Sequence, residues 1–154
     1  MRGKRVAVVG AGGAAQAAVY GCSAEGAQVT IINRTLDKAV ALADHFGATP
    51  QTLTEQSDLS GYDVIINATS VGMGAESTAV PFDTSKLMAG QIVFETIYHP
   101  RRTPLLRDAA ARGALVIEGL EMLVEQAIAQ FELHTGHPAP RDVMREAIGL
   151  SESA

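Results

Sequence analysis

Apolar and polar positions fall along this chain in two rhythms. Arg5–Val9, Gln28–Ile32, Tyr62–Ile66, Gln91–Glu95 and Leu115–Glu118 are short, β-branched runs, the composition of strands buried on both faces. Between them lie segments with helical spacing, at about 12–25, 36–46 and 104–112. Gly26, Gly47 and Gly113 follow these segments, where glycine commonly closes a helix. Thr35 reads as an N-cap, and Thr103 as an N-cap followed by proline at the first helical position. Residues 48–60 show no clear period and predict a short edge strand near Thr49–Leu53 plus a polar loop; a short helix is expected near Asp83–Met88. From Gly119 onward, Leu120, Leu123, Val124, Ala127, Ile128 and Phe131 predict a long helix facing the core, capped by Gly136. A last helix follows at about Arg141–Ile148, and 151–154 is expected to fray. Alternating strands and helices predict a parallel sheet with right-handed crossovers, in one domain spanning 1–154.

The first strand stops at Gly10-Ala-Gly-Gly-Ala-Ala15, and an alanine-rich helix follows. This is G-x-G-x-x-A between strand and helix, the dinucleotide-binding fingerprint in its alanine-ended form. Gly10 allows the tight turn, Gly12 lets the backbone approach a diphosphate, and Ala15 lets the helix sit on the sheet. The helix start offers free N–H groups to the phosphates. The fold class is therefore α/β, a Rossmann-type doubly wound parallel sheet in three αβα layers. The second strand ends in Asn33-Arg34, where NAD-binding domains usually place a carboxylate for the ribose 2′-hydroxyl. Lys38 stands where a capping box would want Glu or Gln, and a cation there opposes the helix dipole by ~0.3–1 kcal/mol unless an anion binds. Arg34 and Lys38 thus predict a pocket for the adenosine 2′-phosphate, hence NADP over NAD. Ligands in such sheets bind beyond the carboxyl ends of the strands. Gly10–Ala14, Asn33–Lys38, Asn67–Ser70, Thr96–Tyr98 and Gly119 are all expected there, converging on one cleft.

Composition narrows the partners. The 154 residues are 47% hydrophobic and 19% charged, an ordinary globular balance, and the net charge of −5 argues against a nucleic-acid surface. No apolar run reaches the ~20 residues that cross a bilayer, and no signal peptide is evident. A single Cys22 cannot form an internal disulfide, which fits a reducing cytoplasm, and four histidines without ligand spacing predict no metal site.

These segments resemble the NADP-binding, C-terminal domain of the shikimate dehydrogenases over nearly the whole chain. The likeness rests on Gly10-Ala-Gly-Gly-Ala14, Asn33-Arg-Thr35 with Lys38, and Asn67-Ala-Thr-Ser-Val-Gly-Met73. It continues in Tyr98-His-Pro100 with Thr103-Pro-Leu-Leu106, in Gly119-Leu-Glu-Met-Leu-Val-Glu-Gln126, and in the ending Phe131–Gly136 with Pro138-Ala-Pro140. The resemblance implies that Gly10, Ala11, Gly12, Gly13 and Ala14 hold the diphosphate of NADP. It assigns Asn33, Arg34, Thr35 and Lys38 to the adenosine ribose and its 2′-phosphate. Thr69 and Ser70 would line the path to the nicotinamide, which Thr96, Gly119 and Met122 would meet. Tyr98 and Gln126 would reach the substrate. The implied reaction is reversible hydride transfer between NADP(H) and 3-dehydroshikimate/shikimate, in chorismate and aromatic amino-acid biosynthesis.

Two positions depart from the family. Thr96 stands where a larger apolar residue is frequent, and Glu95 where Asp is usual. Members also carry an N-terminal domain with a lysine–aspartate pair for proton transfer, which this sequence does not contain. No catalytic residue is therefore assigned here, and the chain alone is expected to bind NADP(H) without turning over shikimate. Glutamyl-tRNA reductase shares the glycine turn and an Asn-Arg-Thr segment, but 67–73 and 119–126 point away from it. A quinate/shikimate dehydrogenase using NAD(P), or a non-catalytic NADP-binding regulatory module, remains the alternative.

Overall fold

Six strands lie side by side and all parallel in a computed structural model that describes residues 1–150. They are β1 (Arg5–Val9), β2 (Gln28–Asn33), β3 (Thr49–Thr52), β4 (Val64–Asn67), β5 (Ile92–Glu95) and β6 (Leu115–Ile117). Their spatial order is β3-β2-β1-β4-β5-β6, so β1 sits at the centre and the chain reverses direction across it. Val6 is flanked by Val29 on one side and Val64 on the other.

Because side chains alternate between faces, the β-branched runs feed two cores. On one face Val6, Val8, Val29 and Ile31 pack with Ala15, Val19, Ala39 and Leu42 of α1 (Gly13–Ala24) and α2 (Leu36–Phe46). On the other, Ala7, Val9, Ile65 and Val93 pack with Leu105, Leu106 and Ala109 of α3 (Pro104–Ala111). Ala15 is fully buried, as the fingerprint requires. The crossover from β3 to β4 contains no helix. Instead the buried Gln91 side chain holds it, donating to the carbonyls of Leu59 (2.9 Å) and Tyr62 (2.7 Å) while accepting from the Met88 N–H (2.8 Å).

Several expectations need correction. The helix expected near Asp83–Met88 is one 3-10 turn, Thr84–Lys86, capped by Asp83. Leu87 leaves it in extended conformation and turns into the core. Thr35 precedes α2 as expected, but its hydroxyl makes no cap; Asn33 Nδ2 instead donates to the Thr35 carbonyl at 2.9 Å. Asp37 also joins Lys38 in that first turn, which tempers the dipole argument.

The largest difference concerns α4 (Gly119–Thr135). Its apolar stripe faces a small separate cluster with Ala139, Met144, Ile148 and Leu150, around α5 (Arg141–Ala147). Val124 and Ile128 are buried, whereas Leu120, Leu123 and Ala127 are only half-buried and Phe131 is 37% exposed. The stripe is wider than a seven-residue helix can cover. Arg141 and Arg145 pair with Glu125 and Glu121 to close the hairpin. Among the described residues, no helix is long and apolar enough to cross a membrane.

Candidate dinucleotide cleft

A cleft of about 380 Å³ opens at the carboxyl ends of β1, β2 and β4, where the strand order reverses. Gly10–Gly12, Ile32–Arg34 and Ala68–Val71 form its floor, and Leu53 with Val80–Pro81 its outer wall. The first three predicted segments are thus brought together. The wall was not anticipated; Leu53 and Pro81 lie in loops with no periodic signal.

Glycine is needed in this turn for two different reasons. Gly10 has φ +117°, and a Cβ there would lie 2.7 Å from the Ala68 carbonyl oxygen, so the fold itself demands it. At Gly12 and Gly13 an added Cβ would meet no atom of the chain within 4 Å. The fold leaves those positions unconstrained, and the space above them suits a ligand's close approach. Gly12 caps α1, whose first turn carries no acidic residue and whose end has no side-chain cap, so its N–H groups remain available to an anion. Arg34 lines the same cleft as Gly12, and both it and Lys38 are exposed and form no ion pair among the described residues. Arg34 also borders a second hollow, with Leu53, Thr54 and Pro81–Asp83.

A larger hollow of about 730 Å³ lies at the opposite, amino ends of the strands, lined by Arg5, Gln28 and Tyr62. Ser23 and Phe46 place the carboxyl ends of α1 and α2 against it. Those helix ends disfavour anions, so the smaller cleft is the one suited to phosphate.

Gly13, Ala14, Thr35 and Lys38 do not line it; Gly13 and Ala14 open α1, Thr35 follows Arg34, and Lys38 lies in the first turn of α2. Thr96, Tyr98, Gly119, Met122 and Gln126 also do not line it; Thr96 and Tyr98 follow the carboxyl end of β5, and Gly119 that of β6. The Thr96 N–H donates to the Asn67 carbonyl at 3.1 Å. Gly119 is packed so closely on Ile97 that a Cβ would run into the Ile97 carbonyl. Met122 and Gln126 follow on α4, the latter exposed.

Beneath this edge lies a buried polar chain that sequence reading missed. Glu95, fully buried, accepts from Asn67 Nδ2 (2.9 Å), from the Ile97 N–H (3.1 Å) and from Thr103 Oγ1 (3.0 Å). Burial pushes its carboxyl above the usual carboxylate range, against the pull of those donors. Asn67 Oδ1 in turn accepts from the Thr69 N–H (3.1 Å) and Thr69 Oγ1 (2.8 Å), and Thr69 Oγ1 accepts from the Val71 N–H (3.1 Å).

The sheet order, the glycine turn and the cleft at the reversal define a Rossmann-type α/β domain. Residues 1–78 match the family model for shikimate / quinate 5-dehydrogenase, and residues 119–148 that for the shikimate 5'-dehydrogenase C-terminal domain. The chain belongs to the shikimate dehydrogenase family. It is 46% identical over 149 residues to the shikimate dehydrogenase (NADP(+)) of Methanothrix thermoacetophila, covering 96% of this chain and 55% of the relative. A crystal structure of a shikimate dehydrogenase in complex with NADP+ superposes with a TM-score of 0.86 at 33% identity, over 96% of this chain and 54% of that one. Ligand-free 5-ketofructose reductase from a Gluconobacter strain gives 0.85 at 35%, over 96% and 56%. The chain thus spans about half the length of these proteins.

Proposed function

We propose that this chain is the NADP-binding domain of a shikimate dehydrogenase and that the cleft at β1, β2 and β4 holds the dinucleotide. The observation that carries this reading is Arg34, exposed and without an ion pair among the described residues, in one cleft with a glycine turn that the fold leaves open at Gly12. Gly10–Ala14 and the start of α1 take the diphosphate. Asn33, Arg34, Thr35 and Lys38 take the adenosine ribose and its 2′-phosphate. Thr69 and Ser70 line the way to the nicotinamide end, bounded by Thr96, Gly119 and Met122. Tyr98 and Gln126 face the substrate.

When bound, NADP(H) supplies or accepts the hydride exchanged with 3-dehydroshikimate/shikimate. The chain's own task is to hold the nicotinamide in a reactive orientation. Among the described residues, the cleft lining contains no group suited to protonate a carbonyl oxygen; its one titratable side chain is Arg34. Within this cleft the chain binds and orients, and proton transfer belongs to residues outside it.

Fluorescence titration tests the assignment. NADPH binds at least tenfold more tightly than NADH, and Arg34→Ala removes most of that preference, since a charge-assisted hydrogen bond contributes about 1.5–3 kcal/mol. Equal affinities for the two nucleotides would refute the 2′-phosphate pocket.

A further inference from the structure

We infer that Glu95 is a positioning residue: its carboxylate fixes which way the Asn67 amide faces, and through it the direction of the Thr69 hydroxyl in the cleft. Every neighbour within reach of Glu95 is a donor. Asn67 Nδ2 lies 2.9 and 3.1 Å from its two oxygens, the Ile97 N–H lies 3.1 Å from one, and Thr103 Oγ1 lies 3.0 Å from the other. An ionised carboxylate only accepts, so it satisfies all of them at once. With the amide nitrogen committed inward, Asn67 Oδ1 must face Thr69, whose N–H and hydroxyl both donate to it.

That polarity reaches the surface of the cleft. The Thr69 proton is turned away, toward Asn67, and one lone pair of its oxygen receives the Val71 N–H at 3.1 Å. What remains for a ligand is a lone pair. Thr69 therefore offers an acceptor to a ligand's amide or hydroxyl proton and has none to give to a phosphate oxygen. This places it beside an uncharged, proton-bearing group rather than beside the diphosphate. The same carboxylate joins three separate segments: the end of β4 at Asn67, the Ile97 turn on which Gly119 rests, and the α3 cap at Thr103. The consequence for nucleotide binding rests on the function proposed above; the hydrogen-bond polarity does not.

Two substitutions separate charge from shape. Glu95→Gln keeps the size but brings an N–H2 that faces donors, which loosens the hold on the Asn67 amide and leaves it to the Thr69 N–H and the Val71 carbonyl. Glu95→Asp keeps the anion in a shorter side chain. Amide hydrogen exchange at Thr69, Val71 and Ile97, with NADPH titration on the same samples, reads the result. In Glu95→Gln, exchange at Thr69 and Val71 accelerates at least tenfold and NADPH affinity drops about tenfold. In Glu95→Asp, both stay within about threefold of the parent. A residue that merely fills space gives the reverse order, with Gln tolerated and Asp not, and that order overturns the inference. Unchanged exchange in Glu95→Gln overturns it as well. If Glu95→Gln does not fold, protected Thr69 and Val71 amides in Glu95→Asp support it and unprotected ones refute it. Failure of the parent protein to bind NADPH would remove the proposed function, while the exchange data would still judge Glu95.

Discussion

Gly10 and Gly12 are two residues apart and glycine for opposite reasons. At Gly10 the backbone lies in the left-handed half of conformational space, and a side chain would strike the Ala68 carbonyl. At Gly12 the backbone has φ −91°, open to any residue, and nothing in the chain crowds it. Gly10→Ala should therefore destabilise the protein by about 1–3 kcal/mol, visible as a lower melting temperature. Gly12→Ala should leave the melting temperature within a degree or two and weaken NADPH binding at least tenfold. Asp63 offers a second contrast. Its carboxylate accepts from the Arg5 N–H at 2.8 Å and pairs with Lys4, and first the backbone hydrogen bond, then the cation, hold its carboxyl below the usual range. A depressed folded-state value means stability present above the ordinary aspartate range and lost as pH falls through the lower one. Asp63→Asn should lower the melting temperature at pH 7, and its gap to the parent should narrow only as pH falls through the depressed range in which the parent's carboxylate takes up its proton.

At the scale of elements, periodicity named what packs and missed what merely approaches. β1, β2, β4, β5 and α1 to α3 were legible because they bury most of their apolar positions in the sheet and its covering layers, the case for which periods of 2 and 3.6 carry information. β3 has no such period, and β6, expected to be buried on both faces, leaves Leu115 64% and Ile117 38% exposed at the sheet's edge. α4 was legible as a helix, but its partner was not. Spacing says that Leu123 and Phe131 share a face, and says nothing about how much surface exists to cover it. The structure supplies only Met144, Ile148, Leu150 and Ala139. Ile128→Ala should accordingly cost about 2–5 kcal/mol of local stability, whereas Phe131→Ala should cost well under 1 kcal/mol; chemical denaturation followed by the helical signal distinguishes them. The cleft was half legible for a related reason. Glycine turns and strand ends are written locally, so Gly10–Gly12, Asn33, Arg34, Thr69 and Ser70 could be read. The wall at Leu53 and Pro81, and the Glu95–Asn67 contact, each depend on residues 28 positions apart meeting in space, which no local pattern encodes.

Across the whole molecule, the sheet and its two covering layers form the main core, while α4 and α5 share a minor one of three buried residues and a few half-buried ones. Unequal cores open separately. Amide exchange should show residues 120–148 opening at markedly lower free energy than β1, β2 and β4, and limited proteolysis should cut near 136–140 before any cleavage in the sheet. Uniform protection along the chain would contradict the division. Two arginines brace the junction, since Arg101 and Arg102 both pair with Glu118 immediately before α4.

The contact of Gly119 with Ile97 gives that junction a fulcrum. Seventeen residues of helix extend from it, a lever of about 25 Å at 1.5 Å per residue. A swing of ten degrees about the pinned end would carry the far tip about 4 Å and Gln126 about 2 Å, while Gly119 itself scarcely moved. Whatever leans on the outer half of that rod therefore adjusts the reach of its polar side chains, and leaves undisturbed the glycine seated at the strand's end.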